Sequence, residues 1–396
     1  MARRLWITTI SITIILLVVA GARLRSRGNA FAMTSPDRVV VHEWGTFTSV
    51  IDSSGTPQTW QPLLGTSDLP DFVYGLGGHI GSRNNPQYKR GFSGTVRMET
   101  PVIYLYSTRE TKASVHVSFP GGIVTEWYPQ GVNSGQGIGW NNVQVAPDSA
   151  QRYSTDSTRP DSRYYRARTT DASPLVADGR DGHELEKFLF YRGVGSFDLP
   201  LSVRPEGQKV LVKSNGPADP SRVILFENTA GKVRYQIEDL ADGQATFDRS
   251  AAGHTVESLR ADLKNMLVAA GLYPKEADAM IATWDDTWFE EGLRALYVLP
   301  RSVTDFVLPI TVDPQPKELE RVMVVRAEII TPEMEAAVRE QVNNLASDSA
   351  EVRNAAAQAL RQRGRFLQPV IQRIMQGQTD SKVEQRLGEF LESLQK

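Results

Sequence analysis

The spacing of apolar residues changes character near Thr255. Before that point they fall in short runs, several with period two; Val233, Tyr235 and Ile237 alternate with Lys232, Arg234 and Gln236. Such a run buries one face and leaves the other in water, the pattern of an antiparallel sheet. Beyond it, Val256, Leu259, Leu263, Met266, Leu267 and Ala270 recur at helical spacing, with Thr255 placed to cap the start and Gly271 to end it. A chain that changes period in this way is neither all-β nor all-α. It is expected to be α+β, with a mainly antiparallel β-sandwich-like body, helices toward the end of that body, and a short α-helical tail.

The expected body spans residues 38–330. It opens with Val39-Val40-Val41-His42-Glu43-Trp44-Gly45-Thr46-Phe47-Thr48, a strand broken at the glycine. Residues 52–94 are rich in Gly, Pro, Asn and Ser and read as long loops. Val102 to Tyr106, Ala113 to Phe119 and Ile123 to Tyr128 are spaced like a meander. Residues 130–180 are polar but carry Trp140, Tyr153, Tyr164 and Tyr165, which suggests decorated loop. Further strands are expected at Glu186 to Tyr191, Lys209 to Lys213, Arg222 to Phe226 and Lys232 to Ile237, the last two joined by a hairpin. Pro274 opens a second helix through Trp284. Leu293 to Leu299, Phe306 to Val312 and Val322 to Ile330 return to the sheet, and residues 331–396 are helical.

Arg3 and Arg4 precede an uncharged stretch, Leu5 to Ala22, dense in Ile, Leu and Val. This reads as a signal peptide or signal anchor within residues 1–32, with Ala20-Gly21-Ala22 and Ala30-Phe31-Ala32 as cleavage candidates. The expectation is an extracytoplasmic protein, secreted after cleavage or held to the membrane through residues 5–22. The chain has no cysteine, which excludes disulfides, thiolate metal sites and cysteine nucleophiles. Its net charge of −2 offers no field that would recruit nucleic acid.

Near the C-terminus, Leu345-Ala-Ser-Asp348, Val352-Arg353, Ala355-Ala356, Ala359-Leu360, Gly364 and Pro369 resemble a HEAT-type helical repeat, and Ser381 to Leu387 with Leu391 and Leu394 resemble the start of another. That resemblance covers residues 345–396 and implies an interaction scaffold. Val41-His42-Glu43-Trp44-Gly45-Thr46-Phe47-Thr48 and Trp288-Phe289-Glu290-Glu291-Gly292 resemble segments of exported bacterial proteins with no assigned activity. This second resemblance implies an extracytoplasmic location and supplies no chemistry.

Phosphate-binding loops, dinucleotide fingerprints, nucleophile elbows and zincin helices are all missing; His42-Glu43 and His183-Glu184 lack the second histidine of the last. Two constellations remain. Glu43, Glu99 and Glu126 each sit by apolar or aromatic neighbours that would raise a carboxyl pKa, and paired carboxylates run glycoside hydrolysis. Trp44, Trp127, Tyr128 and Trp140 would then stack on sugar rings. Alternatively His42, with His79 and His116, would bind a metal through separate strands. Against both stands the plainer reading of core aromatics and edge charges. The Trp284-to-Glu291 stretch reads as an acidic cleft or a capped helix end, and Glu184, Glu186, Tyr191 and Arg192 as an ion pair at a strand edge. The function expected first is binding or structural, with a protein or envelope polymer as partner through the β body or the tail. A carbohydrate-active or metal-dependent hydrolase is the alternative; the cofactor is unassigned.

Overall fold

The computed structural model describes residues 38–393 apart from 64–67, 77, 80–90, 150–151, 217, 219, 251–252 and 363–364. The expected leader therefore lies outside the described residues. Among the described residues no helix is long and apolar enough to cross a membrane.

The strands, in chain order, begin with β1 (Val40–Ile51), β2 (Tyr74–Gly75), β3 (Gly78–His79), β4 (Val96–Tyr106), β5 (Thr111–Ser118) and β6 (Gly122–Tyr128). There follow β7 (Val132–Asn133), β8 (Gly137–Val145), β9 (Leu175–Gly179), β10 (Gly182–Glu186), β11 (Leu189–Gly195), β12 (Leu201–Glu206) and β13 (Lys209–Ser214). The last are β14 (Arg222–Thr229), β15 (Lys232–Asp239), β16 (Gln244–Asp248), β17 (Gly292–Val298), β18 (Ile310–Asp313) and β19 (Glu318–Ile329).

A ten-stranded sheet in the order β15-β14-β17-β19-β1-β4-β11-β6-β2-β3 forms the centre. A six-stranded sheet (β10-β9-β8-β5-β18, with β7 on β8) and a three-stranded sheet (β12-β13-β16) both pack on one of its faces. The fold is thus α+β, mostly antiparallel and sandwich-like. The exception is the β1–β19 pair, which is parallel and in register along its whole length, Val40 opposite Glu318 through Ile51 opposite Ile329. These two strands lie at the middle of the sheet, and both read as nearly continuous buried runs because both faces are covered.

On the opposite face lie α1 (Val256–Ala269), α2 (Pro274–Trp288) and a short 3-10 segment, Arg163–Arg168. Thr255 Oγ1 caps α1 by accepting from Ser258 N at 3.1 Å, and Gly271 leaves it at φ +116°, a conformation that favours glycine. After the short α3 (Arg301–Val307), the tail is α4 (Pro332–Asn344), α5 (Ala350–Gln362), α6 (Gln368–Gln376) and α7 (Ser381–Ser393). Its core of Val338, Val342, Leu360, Val370, Ile374 and Leu387 is continuous with Val50, Trp60 and Ile330 of the body. Arg373 adds an ion pair to Asp52 at 2.8 Å. Residues 39–396 form one compact unit.

Four expectations need correction. The three runs from Val102 to Tyr128 are not a meander: β4 and β6 both pair with β11 in the large sheet, while β5 pairs with β8 and β18 in the six-stranded sheet. Sequence spacing does not say which sheet a strand joins. Residues 130–180 hold β7, β8, β9 and the 3-10 segment, with Trp140 buried although its strand is polar in sequence. The run from Glu186 to Tyr191 is split between β10 and β11. Phe306 ends a helix instead of entering a strand, and only Ile310–Asp313 returns to a sheet.

Candidate functional site

Period-two geometry divides the His42-Glu43 pair between the two faces of the central sheet. His42 points to the helical side. Its Nδ1 lies 2.8 Å from Glu276 Oε2 on α2, and Nε2 lies 3.4 Å from Glu318 Oε1 on β19. Glu276 is the third residue of α2, and its carboxylate also accepts from Tyr273 N at 2.8 Å and from the Tyr106 hydroxyl at 2.6 Å. A carboxylate near a helix N-terminus satisfies an orphan amide and favours the positive end of the dipole. Burial by itself would lower the His42 pKa, but the hydrogen bonds and charges of Glu276 and Glu318 outweigh it and raise the pKa above its ordinary value.

Glu43 points to the sandwich side. Its side chain is fully buried, with Oε1 accepting from the Tyr191 hydroxyl and Oε2 from Arg321 Nε, each at 2.5 Å. Arg321 also donates to Asp305 Oδ1 at 2.8 Å and to the Leu308 carbonyl at 2.7 Å. Burial pushes the Tyr191 hydroxyl pKa up, and the Glu43 charge pushes it further. Trp44, back on the helical side, is wholly buried against Tyr104. Gly45 completes the motif at a bulge, where an added Cβ would lie 2.9 Å from Pro101 Cα.

Glu99 and Glu126 are brought together by a different residue, Arg192, which lies on the helical side. Arg192 pairs bidentately with Asp68 at 2.7 and 2.9 Å and reaches Thr100 Oγ1 at 3.3 Å. Burial would lower its pKa, but Asp68 first, with Glu126 and Glu99 adding their charge, holds it above the ordinary value. Glu126 is the cross-strand partner of Arg192 and accepts from Thr125 Oγ1. Glu99 lies 3.6 Å from Arg97 Nε. The two carboxylates are therefore counter-charges in one cluster, and Glu43 is separated from them by the sheet.

The aromatic candidates split as well. Tyr128 is buried against Phe72, and its hydroxyl lies 3.0 Å from Ser154 Oγ. Trp127 is partly exposed and stacks on Tyr74 at 6.3 Å. Trp140 is on the sandwich side, donating to the Pro129 carbonyl at 2.9 Å. They do not form one platform. His116 is exposed on β5, and the His79 side chain lies outside the described residues. Among the described residues no group of three His, Asp or Glu side chains is placed to hold a metal ion.

The expected ion pair around Glu186 and Arg192 is three contacts: Glu186 with Arg168, Glu184 with the Tyr74 hydroxyl, and Arg192 with Asp68. Three of the acidic residues around Trp284 are paired, Asp285 with Arg260, Asp286 with Arg163 and Glu290 with Arg326. Sequence reasoning missed Glu276, Arg321, Asp68 and Arg294. Only Glu276 carried a local signal, as the third residue of the helix that Pro274 opens. Arg294 is fully buried, pairs with Glu328 at 2.6 Å, and donates to the carbonyls of Trp288, Glu290 and Glu291, closing the C-terminal end of α2.

No protein-family model matches this chain, and no curated protein matches it.

Proposed function

We propose that this is a non-catalytic extracytoplasmic protein, secreted or tethered to the membrane by its N-terminus, that binds a protein or envelope polymer through its β body or its HEAT-like tail. The observation that carries this reading is the engagement of Glu43. A carboxylate sealed between Tyr191 and Arg321, fully desolvated, has no path to a substrate and acts as a tie between strands β1, β11 and β19 of the central sheet. His42 is engaged in the same way on the other face, and Glu99 and Glu126 serve the charge of Arg192. The leader and the resemblance of the His42-Glu43-Trp44 and Trp288-to-Gly292 segments to exported bacterial proteins support the location, and the HEAT-type resemblance supports a binding role. The test is co-sedimentation of the full chain with isolated cell-envelope material, with soluble sugar and peptide measured in the supernatant. Retention without release is expected. Release that Glu99→Gln or Glu126→Gln abolishes at unchanged melting temperature would replace this reading with the hydrolase.

A further inference from the structure

Helix α3 buries Thr304 and Val307 and leaves Phe306 81 % exposed. A phenylalanine held in water at the rim of a cavity is an unspent apolar contact. The cavity beside it has a volume of about 780 Å³, within the range that holds a small ligand or short peptide. Its apolar lining comes from Ile51, Val96, Phe197, Leu199, Val303 and Phe306. Among the residues that line it, Asp198 is the one ionisable side chain, and it is exposed.

One wall is the end of β12, the outer strand of the three-stranded sheet. Strands β12 and β13 are joined by Gly207 and Gln208 alone, so Glu206 and Lys209 are a hydrogen-bonded pair, and by alternation so are Arg204–Leu211 and Ser202–Lys213. The backbone groups of Leu201 and Val203 therefore point away from β13. Pro205, with no N–H, occupies the next outward position, as edge strands require. At Val203 the outer edge is approached by Gly55, where an added Cβ would lie 3.1 Å from the Val203 carbonyl oxygen. The open end of the edge is Leu201, and Leu201 is in the cavity wall.

An apolar floor, an outward-facing strand end and a single anionic group are complementary to one kind of occupant. We infer that this groove takes an extended apolar peptide segment bearing a lysine or arginine: its backbone pairs with Leu201, alternate side chains fill the space beside Phe197 and Phe306, and the cation meets Asp198. This rests on the binding-protein reading and names the chemistry of its partner.

The test is titration of the full chain with a labelled, acetylated Leu-Val-Lys-Val-Leu peptide, followed by fluorescence anisotropy. Saturable binding is expected, weakened roughly tenfold by Phe306→Ala, the scale of a lost aromatic anchor. Because Phe306 is exposed, that variant keeps its fold, which an unchanged melting temperature verifies. Asp198→Lys should reverse the preference between the lysine peptide and its glutamate counterpart. N-methylation of the peptide backbone should remove binding. Absence of saturable binding, or a preference that Asp198→Lys leaves unchanged, overturns the assignment. Equal binding of dodecyltrimethylammonium and the N-methylated peptide also overturns it, because a site for any apolar cation would not need the strand edge. Retention on envelope material that survives Phe306→Ala, with no peptide binding, removes the groove and leaves the binding reading standing; turnover of that material removes the reading itself.

Discussion

Arg321 stands directly opposite Glu43 in the parallel pairing of β19 with β1, and its Nε reaches the Glu43 carboxylate at 2.5 Å with both side chains fully buried. The pair lies at the centre of the largest sheet, so its charges are compensated by each other and by Asp305 at the margin, while the Tyr191 hydroxyl donates a hydrogen bond to the carboxylate.

Removing one member of a buried pair leaves an uncompensated charge. Glu43→Gln is expected to cost about 3–5 kcal/mol of unfolding free energy. The double substitution Glu43→Leu with Arg321→Met should cost much less than the two single costs added together. Chemical denaturation of the four proteins checks this. Additive losses would mean that the pair is not a coupled unit.

His42 imposes a pH dependence of known sign. Its folded pKa lies above the ordinary 6.5, so its stabilisation is complete below that value and is lost as pH rises through the folded pKa. The stability difference between the wild type and His42→Gln should therefore shrink on going from slightly acidic to alkaline pH, with a slope of at most about 1.4 kcal/mol per pH unit. Urea midpoints across that range measure it, and a difference that grew with pH would contradict the Glu276 and Glu318 contacts.

Glu328 behaves oppositely. Burial would raise its pKa, but Arg294 and Arg326 overcome that and hold it below the ordinary 4.5. The stabilisation is present above the unfolded value and is lost as pH falls through the folded one. Glu328→Gln should cost roughly 3–5 kcal/mol at neutral pH, by leaving Arg294 and Arg326 without their shared carboxylate, and should cost less in acid. Thermal unfolding at neutral pH and in strong acid distinguishes this from a pH-independent packing defect.

Trp60 is buried where the body meets the tail, with its ring 5.7 Å from that of Phe366. Trp60→Ala is expected to cost about 3–5 kcal/mol and to expose the helical segment first. Hydrogen exchange should show protection falling in α4 to α7 while β1 and β19 stay protected. Equal loss in both would mean that tail and body unfold as one cooperative unit.

Gly45 carries its prediction in its surroundings. Gly45→Ala would push a methyl group against Pro101 and Met323, with main-chain Pro101 Cα at 2.9 Å. The bulge between Trp44 and Thr46 would have to shift, and stability should fall by about 1–3 kcal/mol, measured by the denaturation midpoint. An unchanged midpoint would show that the bulge moves freely.

Much of the fold was legible because it depends on neighbours in the chain. The alternation at Lys232 to Ile237 became β15, the helical spacing from Val256 became α1 with Thr255 and Gly271 at its ends, and Pro274 opened α2. The apolar run at Phe306 fits a strand or a short helix equally well, so its spacing does not decide between them, and the structure makes it helix. The strand around Trp140 alternates too weakly to stand out from its glycines and asparagines, so its residues read as loop from sequence alone.

The candidate site was legible only as residue types. Local sequence determined that His42 and Glu43 are adjacent on a strand, and alternation alone sends them to opposite faces. What each then meets was decided by long-range pairing: Arg321 arrives through a parallel partner 278 residues away and Glu276 through a helix 234 residues away. A buried charge must find its counter-charge wherever the topology delivers one, and no periodicity in the chain records that meeting. Sequence by itself determined the periods, the caps and the change from sheet to helix. Tertiary structure decided which carboxylates are sealed, because desolvation and pairing belong to the assembled layers and to no single segment.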